Sequence, residues 1–217
     1  MNTSIILSKQ WVLTGSIAGI LSFILFPILL FIDLPSYLQI AFAILYGILF
    51  SFSGFAVHHL LKHKKPTILT QIAALFIFIS GFLFNLMLTI QLTFRGYLAH
   101  YEKSTSTQEE SELLDWIGKT VDPIHLAMQV SNDFFTGIAM ILFSIVMYSH
   151  TYFGKAWAIA GTLIAVLLLG VKCWAFPMTP YELGFPFVLG PLLALWFLSV
   201  NIQCLRKKEA IAQTYEY

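Results

Sequence analysis

Runs of about 20 apolar residues, each stopped by charges, Pro or Gly, constrain this chain more than any other feature, because that length lets a helix cross a hydrocarbon core of about 30 Å. Six such runs occur, at 11–32, 38–61, 67–93, 130–149, 156–176 and 185–204. The first stops at Asp33 and Pro35, and the second runs into Lys62, Lys64, Lys65 and Pro66. Across the 217 residues, 58% are hydrophobic and 11% charged, against about a quarter charged in an ordinary soluble domain. A water-soluble fold could not hide that much apolar surface. The expected fold is all-α: one membrane domain over 1–217, a polytopic bundle of six transmembrane helices. The first run is too long for a signal-peptide core and no A-x-A-like site follows it, so it is expected to stay attached.

Orientation follows from the basic residues, which are retained on the cytoplasmic side. One set of loop ends holds Lys9, Lys62, Lys64, Lys65, Lys155, Arg206, Lys207 and Lys208, and the other holds Arg95, Lys103 and Lys119. Both termini are therefore expected in the cytoplasm, with the chain in a plasma membrane. The basic residues are divided among loops facing anionic lipid headgroups, which argues for membrane lipid and against nucleic acid as a partner.

The connection 95–129 is acidic and carries a pattern of its own. Thr107 with Glu110 reads as a capping box, and Leu113, Leu114 and Ile117 fall on one helical face beside Trp116. This predicts a short amphipathic surface helix between the third and fourth spans, anchored by Trp116 at headgroup depth. Asp122 and Pro123 read as the N-cap and first residue of the fourth helix. In the sixth span, Pro186, Gly190 and Pro191 should bend or unwind its outer end.

Polar residues at membrane depth are costly and are functional candidates by default. Asn85 and Arg95 on the third span, Asp133 on the fourth, Lys172 on the fifth and Glu182 in the following turn all fall in the outer half. They could converge as a site for an anionic headgroup or small solute. The alternative is that Arg95 and Lys172 snorkel separately to headgroups while Asp133 reaches water. Small residues at four-residue spacing, Gly15 and Gly19, then Ala43, Gly47 and Ser51, predict close helix packing. His58, His59 and His63 cluster beside Lys62; no third metal ligand follows from the spacing, and a basic helix C-terminus is the preferred reading. His125 and Asp133 share a helical face but sit about 12 Å apart along the axis, too far to hydrogen-bond, and no nucleophile accompanies them. Cys173 and Cys204 fall at opposite ends of their spans and cannot pair within the chain. No cofactor, phosphate-binding or hydrolase motif is present.

Two functional readings follow. One is a binder or transporter of a lipid or small molecule, using Asn85, Arg95, Asp133, Lys172 and Glu182. The other is a structural or regulatory membrane subunit, a homo-oligomer or a partner's companion, whose Gly faces and surface helix dock that partner. An intramembrane enzyme is the weaker third.

The segment Asp133-Phe134-Phe135-Thr136-Gly137, then Tyr148-Ser149-His150, then Gly154-Lys155-Ala156-Trp157-Ala158-Ile159-Ala160-Gly161, resembles the later half of a bacterial family of six-helix membrane proteins of unknown function. The resemblance covers residues 133–161. It implies a bacterial plasma-membrane location and supplies no catalytic residues.

Overall fold

A computed structural model describes residues 3–64, 67–102, 107–185, 189–209 and 211. Its regular structure is six α-helices: α1 (Thr3–Phe31), α2 (Ser36–Lys64), α3 (Ile68–Glu102), α4 (Gln108–Met147), α5 (Lys155–Ala175) and α6 (Gly190–Lys207). A helix satisfies its own backbone, which lipid cannot do, so apolar runs of this length settle as helices. Among the described residues, α1 to α5 are long and apolar enough to cross a membrane, which makes the chain a multi-pass membrane protein. Where the sixth span is expected lies a shorter continuous helix of 18 residues that carries Asn201 and Gln203 and is not among the five. It opens at Gly190 with Pro191 in its first turn, and the bend expected at Pro186 lies outside the described residues.

Consecutive helices from α1 to α5 pack against one another, and α6 returns to α1, α2 and α5, closing the bundle. The small residues make this approach possible. A Cβ on Gly15 would lie 2.5 Å from the Phe52 carbonyl oxygen, and one on Gly81 would lie 2.5 Å from the Gly47 carbonyl oxygen. Either methyl would force backbones apart, so these positions set the α1–α2 and α2–α3 spacing.

The short surface helix is not there. Its capping box is: the Thr107 hydroxyl accepts from the Glu110 N–H at 3.3 Å, and the Glu110 carboxylate accepts from the Thr107 N–H. The helix that begins there runs without a break for 40 residues, straight through Pro123, so Asp122 and Pro123 start nothing. Two causes stand out. Gln108–Glu112 and Asp115–Lys119 contacts at i,i+4 support the early turns. In addition α3 continues to Glu102, so the Leu113, Leu114 and Ile117 face looks across a cleft at Phe94 and Leu98 of α3. At 1.5 Å per residue, α3 and α4 are about 50 and 60 Å long, against about 44 Å for α1 and α2. They pack on each other as an antiparallel hairpin.

Candidate functional site

The membrane-depth polar residues resolve into three separate arrangements. At the first, Lys172 in the last turn of α5 meets Asp133 of α4, with Nζ and Oδ2 2.8 Å apart and both side chains largely buried. The Asn132 amide lies 3.5 Å from the other Asp133 oxygen, and Asn132 Oδ1 accepts from the Ser80 hydroxyl of α3 at 2.5 Å. The Thr136 hydroxyl lies 2.5 Å from that of Ser80 and can donate to it. This network links three helices. Its charges are matched, its hydroxyls are partnered, and no cleft opens onto it among those described below. Chemically it is a clamp: removing one member of such a pair leaves a charge stranded in low dielectric.

Arg95 belongs to the second arrangement and points elsewhere. It is exposed and makes no ion pair among the described residues. With Gln91 one turn earlier and Gln39 across from α2, it stands at a cleft of about 250 Å³. The floor is apolar, from Phe26 and Leu29 of α1 and Phe84, Leu88 and Leu92 of α3. One fixed cation and two amides over an apolar floor suit an amphiphile whose polar end is acidic.

A third arrangement is the hairpin itself. Between its arms lies a cleft of about 430 Å³ lined by Phe94, Tyr97, Leu98 and Tyr101 on α3 and by Leu113, Leu114 and Ile117 on α4, with Glu110 at its edge. Tyr97 and Tyr101 stack with ring centroids 6.0 Å apart.

Asn85 and Glu182 join none of these. The Asn85 carboxamide packs against Gly47 of α2, and its Oδ1 is buried without a hydrogen-bond partner. Glu182 is exposed in the turn after α5, where its carboxylate accepts from the Thr179 N–H at 2.6 Å and the Thr179 hydroxyl at 2.7 Å. Those bonds hold its pKa below the usual carboxylate value. The five expected residues therefore divide: Asp133 and Lys172 meet, while Asn85, Arg95 and Glu182 each find different surroundings. Sequence reasoning missed Ser80, Gln39 and the apolar floor. The i,i+4 spacing of Asn132 and Thr136 was a signal that a hydroxyl-bearing neighbour would cross that face.

His125 is half-buried, and its Nε2 has no hydrogen-bond partner among the described residues. At the basic end, His58 Nδ1 lies 2.9 Å from the Thr70 hydroxyl and His59 Nδ1 lies 3.3 Å from that of Ser8. The His59 ring stacks on Trp11 with centroids 5.7 Å apart. The His63 side chain lies outside the described residues, and among those described no three His, Cys, Asp or Glu side chains gather as a metal site. Both cysteines are free, Cys173 exposed and Cys204 buried.

In comparisons with known proteins, no family model, no curated protein and no solved structure matches this chain.

Proposed function

We propose that this chain is a plasma-membrane protein that holds an anionic amphiphile, an acyl chain with an acidic headgroup, in the cleft between α1, α2 and α3. Arg95 meets the acidic group, Gln39 and Gln91 bond its oxygens, and Phe26, Leu29, Phe84 and Leu88 take the chain. The observation that carries this reading is that Arg95, at the polar mouth of an apolar cleft, makes no ion pair among the described residues. A guanidinium there has its fork of donors free for a carboxylate or phosphate. The basic-residue asymmetry supports a cytoplasmic position for both termini, with α6 as a sixth span and Arg95 at the outer leaflet. In this reading Asp133 and Lys172 hold α4 to α5 and do not touch the ligand, and no residue is assigned a catalytic role.

The test is lipid retention. The protein is purified in mild detergent, and co-purifying lipid is identified by mass spectrometry for wild type and Arg95→Gln. Anionic lipid retention should fall about tenfold, the equivalent of about 1.4 kcal/mol for one charge-assisted contact, with zwitterionic lipid unaffected. Equal retention by the two proteins rejects the reading.

The docking-subunit reading loses one of its two supports, because the Gly faces point inward: Gly15 meets Phe52 and Ala56, Gly19 meets Asn201, and Gly47 meets Gly81. The part left is the hairpin.

A further inference from the structure

The connection from α5 to α6 keeps its apolar side chains on the outside. α5 has 21 residues and is therefore about 32 Å long, which matches a hydrocarbon core of about 30 Å and puts Lys155 at one boundary and Ala175 at the other. Ile159, Leu163, Val166, Leu167 and Trp174 are exposed and share an arc of about 100° around it, opposite the buried Ala165, Leu168 and Lys172. That arc is the face lipid covers. The exposure does not stop where the helix does. Phe176 is 59% exposed, Met178 47% and Tyr181 83%, as open as Leu163 at 58% on the lipid face. Between Cys173 and Phe185 the one charged residue is Glu182. A loop of this content standing in water would be an aggregation liability.

Backbone hydrogen bonds keep the loop on the helix end. The Phe176 N–H donates to the Lys172 carbonyl at 3.1 Å and the Met178 N–H to the Ala175 carbonyl at 2.8 Å, folding the chain back on the last turn. The Gly184 and Phe185 N–H groups donate to the Tyr181 and Pro180 carbonyls, each at 2.9 Å, closing a second turn. Consecutive Cα atoms are about 3.8 Å apart, so Met178 could lie at most about 11 Å from Ala175, and its bond to that carbonyl draws it closer. The headgroup region beyond each side of the hydrocarbon is about 5 to 8 Å thick. Lipid is therefore what covers these side chains: they continue the lipid face of α5, their own turns hold them at headgroup depth, and they carry no charge. Glu182 stays exposed, its carboxylate bonded by Thr179.

We infer that residues 174–185 form an interfacial anchor, seating Trp174, Phe176, Met178 and Tyr181 among the headgroups and upper acyl carbons of a lipid leaflet. Trp and Tyr suit that depth, since each joins an apolar ring to one polar tip. The anchor sets the height of α5 and so keeps the Lys172–Asp133 pair within about one turn of the boundary. It lies on other elements than the Arg95 cleft, and neither reading rests on the other.

Depth is the quantity to measure. Cys173→Ser removes the exposed thiol, Cys204 is buried, and Met178→Cys or Tyr181→Cys then carries a fluorescent dye on the full chain in nanodiscs of zwitterionic lipid. Both positions are exposed, so the dye displaces no packed side chain. Lipid bearing a nitroxide on its headgroup or fifth acyl carbon should quench both dyes several-fold more than lipid bearing it on the twelfth carbon. Aqueous iodide should quench them several-fold less than it quenches the same dye on free cysteine. Replacing Trp174 and Phe176 together by Ser should raise iodide quenching at position 178. Iodide access equal to that of the free dye, with no quenching by lipid, puts the loop in water and overturns the inference. So does protection from iodide without quenching by lipid, the mark of a second copy or a partner protein over the loop. Strongest quenching from the twelfth carbon, or iodide access unmoved by the double Ser variant, overturns it as well.

Discussion

At the basic end of the bundle the polar side chains bond from one helix to another, whereas at the hairpin end they bond within one helix or turn. Lys9 pairs with Glu209, His58 with Thr70 and His59 with Ser8. The Gln203 amide donates to the Tyr152 carbonyl at 2.7 Å, and the Trp196 indole N–H donates to the Trp157 carbonyl at 3.1 Å. These contacts tie α1 to the segment after α6, α2 to α1 and α3, and α6 to the α4–α5 turn and α5. At the other end, among the described residues, Arg95 has no counter-ion, Glu182 bonds within its own turn, and two apolar clefts lie open. One end is cross-linked from helix to helix and the other is not. Between them, the Asp133–Lys172 clamp keeps α4 on α5.

The sharpest way to break this contrast is at the clamp. Lys172→Ala strands the Asp133 carboxylate and should cost about 3 to 5 kcal/mol, seen as a large drop in unfolding temperature in detergent. Replacing both partners with apolar residues of similar size should recover most of it; a near-neutral single variant would show that water reaches the pair. Next in size, Gly47→Ala drives a methyl into the Asn85 carboxamide and the Gly81 carbonyl. It should destabilise by about 1 to 3 kcal/mol, and the same assay reads it. Arg95→Gln should leave stability within about 0.5 kcal/mol while reducing bound anionic lipid, which separates an open end from a fixed one. If it destabilises as much as Lys172→Ala, the two ends are not different in kind.

The smallest effect concerns pH. The Thr179 bonds lower the Glu182 pKa in the folded chain, so their contribution is present above the ordinary glutamate value of 4.5 and is lost as pH falls through the depressed folded value. Protection against hydrogen exchange in the 177–185 turn, relative to the free-chain rate at each pH, should therefore stay constant from neutral pH down to that range and fall below it. Glu182→Gln should raise exchange at neutral pH without moving the rest of the bundle.

Which parts of this were legible in the sequence follows from what a helical period encodes. The starts of α2 and α5 fell within two residues of those expected, because Pro35 and Gly154 punctuate the chain there. The Thr107–Glu110 box was legible as a local pattern and is formed. Where α4 goes after that box was not, because Leu113, Leu114 and Ile117 look the same whether lipid or α3 covers them. Nor does the period say which neighbour a face will meet. Ser80 and Asn85 are about 140° apart around α3, and that rotation sends one to Asn132 of α4 and the other to Gly47 of α2. The pairing of Asp133 with Lys172 was foreseeable from shared depth and opposite charge. Depth alone also grouped Arg95 and Glu182 with them, and helix rotation and a local turn separated them.

The seam between α1 and α6 has a consequence for biogenesis. Gly19 is covered by Asn201, whose amide donates to the Phe197 carbonyl at 2.8 Å and which is wholly buried. α1 leaves the ribosome before α2 to α5 and meets α6 only after all of them have been made. At roughly 5 to 20 residues per second, that interval is on the order of ten seconds or more. Throughout it, the Gly19 face of the newborn helix must be shielded by lipid or by the insertion machinery, so slowing synthesis before α6 should leave α1 exposed to quality-control proteases for longer.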